Sequence, residues 1–332
     1  MTARIAVPVE LSPQAAQPRG GRLVTFGGPT MGVSWSVKAL APEDFELDRA
    51  REKIQGLLNR IVGQMSTWEP EADISRFNRL PAGGWMTAPA AFLHVLERAL
   101  HWARLSGGAF DPTAGELVEL WGFGAAGTRL EPPTDEAIAA AMARCGWDRL
   151  AMEGPRVFQP GGIRLDFSGI AKGFGVDEVS RALAYLGLPD HLVEIGGELR
   201  GEGVKEDGSP WWAEIAPPPD TALPGGPMLV ALHGLSIATS GDYRRRFEHQ
   251  GRSYSHTLDP RTGRPVAAGL RSVSVVGREC MDADALCTVL TVLGPEAGLQ
   301  FATEQEVAAY FLVELKGQLT EVLAPAFQAM LD

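Results

Sequence analysis

Cysteine is scarce in this sequence. Its 332 residues include three, Cys145, Cys280 and Cys287, and none stands in a C-x-x-C pair or beside a histidine. That excludes a disulfide framework and a zinc site of the recurring spacings, and each cysteine reads as a small buried hydrophobe. Long apolar runs are missing too, so no segment is expected to span a bilayer. The opening MTARIAVPVELSPQAAQPRGG has neither the apolar core of an export signal nor a lipid-acceptor cysteine. As written, the chain is expected in the cytoplasm, or outside it if a signal has been removed. Basic residues are outnumbered, 30 Lys and Arg against 41 Asp and Glu, for a net charge of −11. Nucleic acid is excluded as a partner, because neutralising its backbone takes clustered Lys and Arg. A small phosphate-bearing molecule is not excluded, since a divalent cation can stand between like charges. There is no internal repeat, and the APPPD run around Pro217 is too short to link domains. With 45% hydrophobic residues the chain can bury a large core. The expectation is one α+β unit over residues 22–332, with mixed and antiparallel sheets packed by helices, behind a flexible lead-in at residues 1–21.

What the sequence does have is a stretch dense in reactive groups, residues 236–266, SIATSGDYRRRFEHQGRSYSHTLDPRTGRPV. Thr239, Ser240, Asp242, Tyr243, His256, Asp259, Arg261 and Thr262 fall within it. Ser, Asp and His together bring a hydrolase triad to mind, but Ser240 sits in ATSGD and not in the G-x-S-x-G elbow that such a nucleophile needs. On local pattern alone the stretch is a polar hairpin closed by the DPRTG turn.

The remaining chain alternates strand and helix patterns. Residues 22–39 alternate as strands broken at GGPTMG (27–32), a backbone that a ligand can approach closely. Residues 47–65 carry an apolar helical face of Leu47, Ala50, Ile54, Leu57, Leu58, Ile61, Val62 and Met65. A polar loop, STWEPEADISRFN (66–78), follows, in which Trp68 is either a half-buried anchor or a stacking surface for a flat ring. A helix capped by Thr87 and covering 90–105 stops at Gly107 and Gly108, and GGAFDPT (107–113) forms a second tight loop. Gly122, Gly124 and Gly127 match G-x-G-x-x-G, yet they follow a helical pattern and precede none, so the dinucleotide reading fails. Residues 156–159 and 163–167 read as a hairpin, as do 191–201 with 211–216. More sheet is expected at 228–239 and 271–277, a helix at 281–294, and closing strands with a short helix thereafter.

Two places point to anion and cation chemistry. DFSGIAKGFGVD (166–177) puts small residues and Lys172 at a strand-to-helix junction, where free amides and the helix dipole favour phosphate. It lacks the Walker spacing. In MDADALCTVLTVLG (281–294), Asp284 and Thr288 are four apart and share a helix face. Such a pair either holds a hard cation such as Mg²⁺, or Asp282 and Asp284 simply complement the helix dipole while Thr288 is an ordinary helix residue.

The ordered set TMG (30–32), STW…DISRFN, GGAFDPT, LDFSGIAKGFGVD, EIGGELRG, ATSGDYRRRF, YSHTLDPRTGRPV and ADALCTVLTVLG resembles the ApbE family of FAD:protein FMN transferases. The resemblance implies a single ApbE-like domain that binds FAD and Mg²⁺, moves FMN onto a threonine of an acceptor flavoprotein and releases AMP. By motif, Met31 and Trp68 would lie against the flavin, Ala109, Phe110 and Asp111 would line the FAD site, and Lys172 and the Leu258 backbone would face the cofactor. The Gly169 carbonyl, Asp284 and Thr288 would hold the metal. His256 would be the base that deprotonates the incoming threonine. Arg244, Arg245, Arg246 and Arg261 either assist with the phosphate charge or are solvated surface residues. Two positions depart from the family pattern: Trp68 stands where tyrosine is common, and Ser168 where glycine is usual. They leave FAD hydrolysis to FMN and AMP as an alternative activity, and FAD binding without turnover as a third reading.

Overall fold

Strands rich in Val, Leu and Ala alternate their side chains between two covers, and that alternation builds the centre of the molecule. A computed structural model describes residues 3–9, 17–219, 221–241, 246–266 and 269–331. Eight strands form one sheet in the order Gln318–Leu323, Ala308–Leu315, Leu270–Gly277, Leu235–Gly241, Glu198–Glu202, His191–Ile195, Val33–Ala41 and Arg22–Thr30. Every neighbouring pair is antiparallel. The helices, in chain order, are α1 (Leu47–Met65), α2 (Asp73–Asn78), α3 (Ala90–Leu105), α4 (Gly115–Leu120), α5 (Asp135–Met142), α6 (Ala171–Tyr185), α7 (Cys280–Glu304) and α8 (Pro325–Gln328).

One face of the sheet, with Val193, Ala238, Val273, Val275 and Phe311, buries against the apolar sides of α1, α3, α6 and α7. The alternate residues, Ile237, Val276, Tyr310 and Leu312, bury against α8 and a small mixed sheet. In that sheet Arg4–Ala6 runs parallel to Met228–Leu232, which is antiparallel to Trp211–Glu214. Part of the expected lead-in is therefore structured: Ala6 is fully buried and Arg4 pairs with Glu321 at 2.6 Å. The architecture is α+β, with antiparallel and mixed sheets packed by helices, as the pattern predicts.

Several local expectations change. Gly27 and Gly28 lie inside a strand, and the break is only the Met31–Gly32 turn, both residues at positive φ. A Cβ on Gly27 would meet the Trp35 carbonyl oxygen at 2.3 Å, so close strand packing, not a ligand, requires that glycine. The polar loop after α1 ends in α2, and α3 is capped by Pro89, not Thr87. Residues 163–167 are not a strand; Arg156–Gln159 pairs instead with Gly84–Thr87 and Ala151–Glu153. Trp211–Glu214 leaves the His191–Ile195 hairpin for the small sheet. Gly122 follows α4, and the Glu119 carboxylate accepts the Ala125 and Ala126 amides, so these glycines make no nucleotide loop. Helix α7 is kinked at Gly294 and resumes at Pro295, whose fixed φ suits a first helical turn. It is long and apolar enough to cross a membrane, contrary to the sequence expectation. Its apolarity has another reason, since it lies between α6 and the strands and is buried on both sides.

Candidate functional site

The N-terminal halves of α6 and α7 grip each other through two carboxylates, each reaching the first turn of the other helix. Asp177 of α6 accepts the Cys280 and Met281 amides of α7, both at 2.9 Å. Asp284 of α7 accepts the Gly173 amide of α6 at 3.0 Å through Oδ2. Each helix thus caps the other's orphan N–H groups. Contact is so close that a Cβ on Gly173 would lie 2.2 Å from the Cys280 carbonyl oxygen. This packing brings the SGIAKG junction against the middle of α7. Asp282 points elsewhere, to Arg98 at 2.6 and 2.7 Å and to the Trp102 indole at 2.8 Å.

Around the α6 N-terminus the predicted residues converge. A Cβ on Gly169 would touch Thr288 Oγ1 at 2.9 Å and the Phe110 ring at 3.3 Å. Asp284 is buried, and its Oδ1 stands 3.6 Å from Lys172 Nζ. Lys172 also donates to Glu198 Oε1 at 2.5 Å, and Glu198 is only 2% exposed. Nothing in the local pattern of EIGGELRG distinguishes Glu198; the acid becomes meaningful only once its strand is laid beside α6.

The GGAFDPT loop is tied in by hydrogen bonds. Gly107 and Gly108 adopt positive φ, which turns the chain back after α3. Ala109 and Phe110 are buried, and the Phe110 ring edge lies against Gly169. Asp111 Oδ1 accepts the Thr113 amide and hydroxyl at 2.7 and 2.6 Å. Burial raises the Asp111 carboxyl above the ordinary range, and those Thr113 donors oppose the shift. The Asp166 amide bonds the Pro112 carbonyl at 2.9 Å, and Asn78 of α2 holds Leu165 from both sides at 2.7 and 3.0 Å. Ser168 donates both amide and hydroxyl to Asp166, which closes the turn into Gly169.

The His256 loop joins from the other side. Leu258 packs with Leu117, Trp121 and Phe123, and the Trp121 indole donates to the Gly263 carbonyl at 2.8 Å. The His256 ring stands edge-on to Phe123, centroids 6.4 Å apart. Arg261 is held by Asp259 at 2.9 and 3.0 Å, and its stem approaches Gly108. Met31 reaches the inner face of α6 beside Gly175. Trp68 differs from this set in being 56% exposed, at the start of the loop whose far end Asn78 anchors. Arg246 is exposed, while Asp242, Tyr243, Arg244 and Arg245 lie outside the described residues.

Among the described residues no three His, Cys, Asp or Glu side chains converge on a metal-sized space. The donors that do converge are one carboxylate, one hydroxyl and the Gly169 backbone. Those are hard oxygens, the set that suits Mg²⁺, which retains waters and takes phosphate oxygens as its remaining ligands.

The ApbE family profile matches residues 31–311. The chain belongs to the ApbE family. It is 36% identical to the FAD:protein FMN transferase of Vibrio cholerae, over 93% of each chain. It is 32% identical to the protein of that name from Haemophilus influenzae, over 99% of this chain and 97% of the relative. The apo crystal structure of the Pseudomonas stutzeri flavinyl transferase ApbE superposes with a TM-score of 0.87 at 38% identity, covering 93% of this chain and 97% of that one. This ApbE-family chain therefore shares both sequence and fold with its relatives over nearly its whole length.

Proposed function

We propose that the chain is a Mg²⁺-dependent FAD:protein FMN transferase, esterifying a threonine of an acceptor flavoprotein with FMN and releasing AMP. The observation that carries the reading is the convergence of Gly169, Thr288, Asp284 and Lys172 on one helix N-terminus. An anionic diphosphate is stabilised there by the helix dipole and by an ammonium that Glu198 holds in place. The Gly169 carbonyl, Asp284 and Thr288 would hold Mg²⁺, which when bound neutralises charge on the diphosphate. Met31, Trp68, Ala109, Phe110, Asp111 and the Leu258 backbone would bind FAD, with the Trp68 indole offering a face for the isoalloxazine.

His256 accepts the proton of the threonine hydroxyl as its oxygen bonds to the phosphorus of the FMN half. The bond from that phosphorus to the AMP oxygen breaks, and AMP leaves. Imidazole suits this role because it can be neutral near pH 7, unlike the neighbouring arginines.

The test is incubation with FAD and Mg²⁺, with and without an acceptor flavoprotein. Flavin fluorescence retained on the denatured acceptor is the expected result. AMP release that needs no acceptor would make the protein a hydrolase, and bound but intact FAD would make it a binder.

A further inference from the structure

The hairpin that leads to His256 has an edge that pairs with no strand among the described residues. Arg246–His249 pairs with Arg252–Ser255 across Gln250 and Gly251, whose φ angles of 50° and 74° make a two-residue turn of the twisted type. In such a hairpin the residues flanking the turn, His249 and Arg252, exchange both main-chain bonds, and bonded and non-bonded pairs then alternate. Phe247 with Tyr254 is the next bonded pair. Ser253 and Ser255 consequently turn their N–H and C=O groups outward. Among the described residues no main-chain partner meets the N–H or C=O of either, although the Ser255 hydroxyl accepts the Thr257 amide at 3.2 Å, and Ser253 is exposed. The side chains confirm the alternation: Tyr254 stacks on Phe247 with ring centroids 5.0 Å apart, on the face where Trp121 lies. His256, in the bend just past the strand's end, meets Phe123, which also packs on Phe247.

We propose that the acceptor protein's threonine segment binds in extended form as an added antiparallel strand along Arg252–Ser255. This inference rests on the transferase reading. The occupant follows from position. A strand bonded to Ser253 and Ser255 runs on to the bend that carries His256, where its next side chain on that face comes beside the imidazole. A hydroxyl there is presented to the imidazole. Main-chain bonding supplies affinity with little demand on acceptor sequence, as in other strand-addition complexes.

The test uses the full chain, FAD, Mg²⁺, an acceptor flavoprotein that the wild type labels, and a short synthetic peptide centred on its labelled threonine. Ser253→Pro removes an outward N–H from the edge in question. Glu248→Pro, the residue facing it across the hairpin, removes the equivalent group from the opposite edge. Proline is tolerated at such outward positions. Expected is a rise of about tenfold in KM for protein and peptide with Ser253→Pro, unchanged FAD binding, and near wild-type behaviour with Glu248→Pro. Acceptor addition should also slow hydrogen exchange at the Ser253 and Ser255 amides. Equal transfer by Ser253→Pro, or equal damage from both prolines, overturns the docking alone. A wild type that labels no protein overturns the transferase reading, and the docking with it.

Discussion

Asp177 and Met281 are 104 residues apart in the chain, yet the Asp177 carboxylate accepts the Met281 amide at 2.9 Å. With Asp284 returning the favour to Gly173, the two helices that frame the site are fixed end to flank. A carboxylate in this arrangement both caps a helix and orients the residues around it, so stability and activity can be separated by substitution.

Asp177→Ala should destabilise the fold by about 3 kcal/mol. It strands two buried amides and leaves Arg200, 3.0 Å away, without this partner. Asp177→Asn keeps an acceptor and should cost clearly less. Urea unfolding of both variants checks the order.

Asp284 separates cap from charge. Asp284→Asn retains an oxygen for the Gly173 amide and should stay within about 1 kcal/mol of wild-type stability. Metal-dependent turnover should nonetheless fall by about a hundredfold or more, because the only carboxylate among the proposed ligands is gone. Asp284→Ala should lose both. Wild-type turnover in the Asn variant would remove the metal assignment.

His256→Ala should slow FMN transfer by about 10²–10⁴-fold with little change in FAD affinity. Single-turnover rates alongside fluorescence titration with FAD make the comparison. A variant that binds FAD weakly but transfers normally would reverse the assignment.

His191 predicts an acid-side loss of stability. It is fully buried, bonds Leu188 O through Nδ1 at 2.7 Å and Ser180 Oγ through Nε2 at 2.8 Å, and burial lowers its pKa below 6.5. Above pH 6.5 the imidazole is neutral in both folded and unfolded chains and contributes no slope. As pH falls below 6.5 the unfolded chain takes up a proton that the folded one refuses, so unfolding becomes easier until the lowered folded pKa is passed. His191→Gln should flatten the stability profile over that window in denaturant titrations. An unchanged slope would assign the titration to another group.

Much of this is legible in the sequence. The apolar period of residues 47–65 is α1 as read, because one helix face against a core demands that spacing. The four-residue spacing that puts Asp284 and Thr288 on one helix face is equally local, and the α+β class follows from the mix of helix and strand periods along the chain. Glu198 beside Lys172, Asp177 at the head of α7, and the split of residues 228–239 between two sheets depend on partners tens to more than a hundred residues away. Local pattern says which face of a segment is apolar; only the packed whole says which other segment covers it. For the same reason DFSGIAKG by itself was a weak phosphate loop. It became a candidate centre when α7 laid a carboxylate and a hydroxyl against it, because charge and coordination act through space and not along the chain.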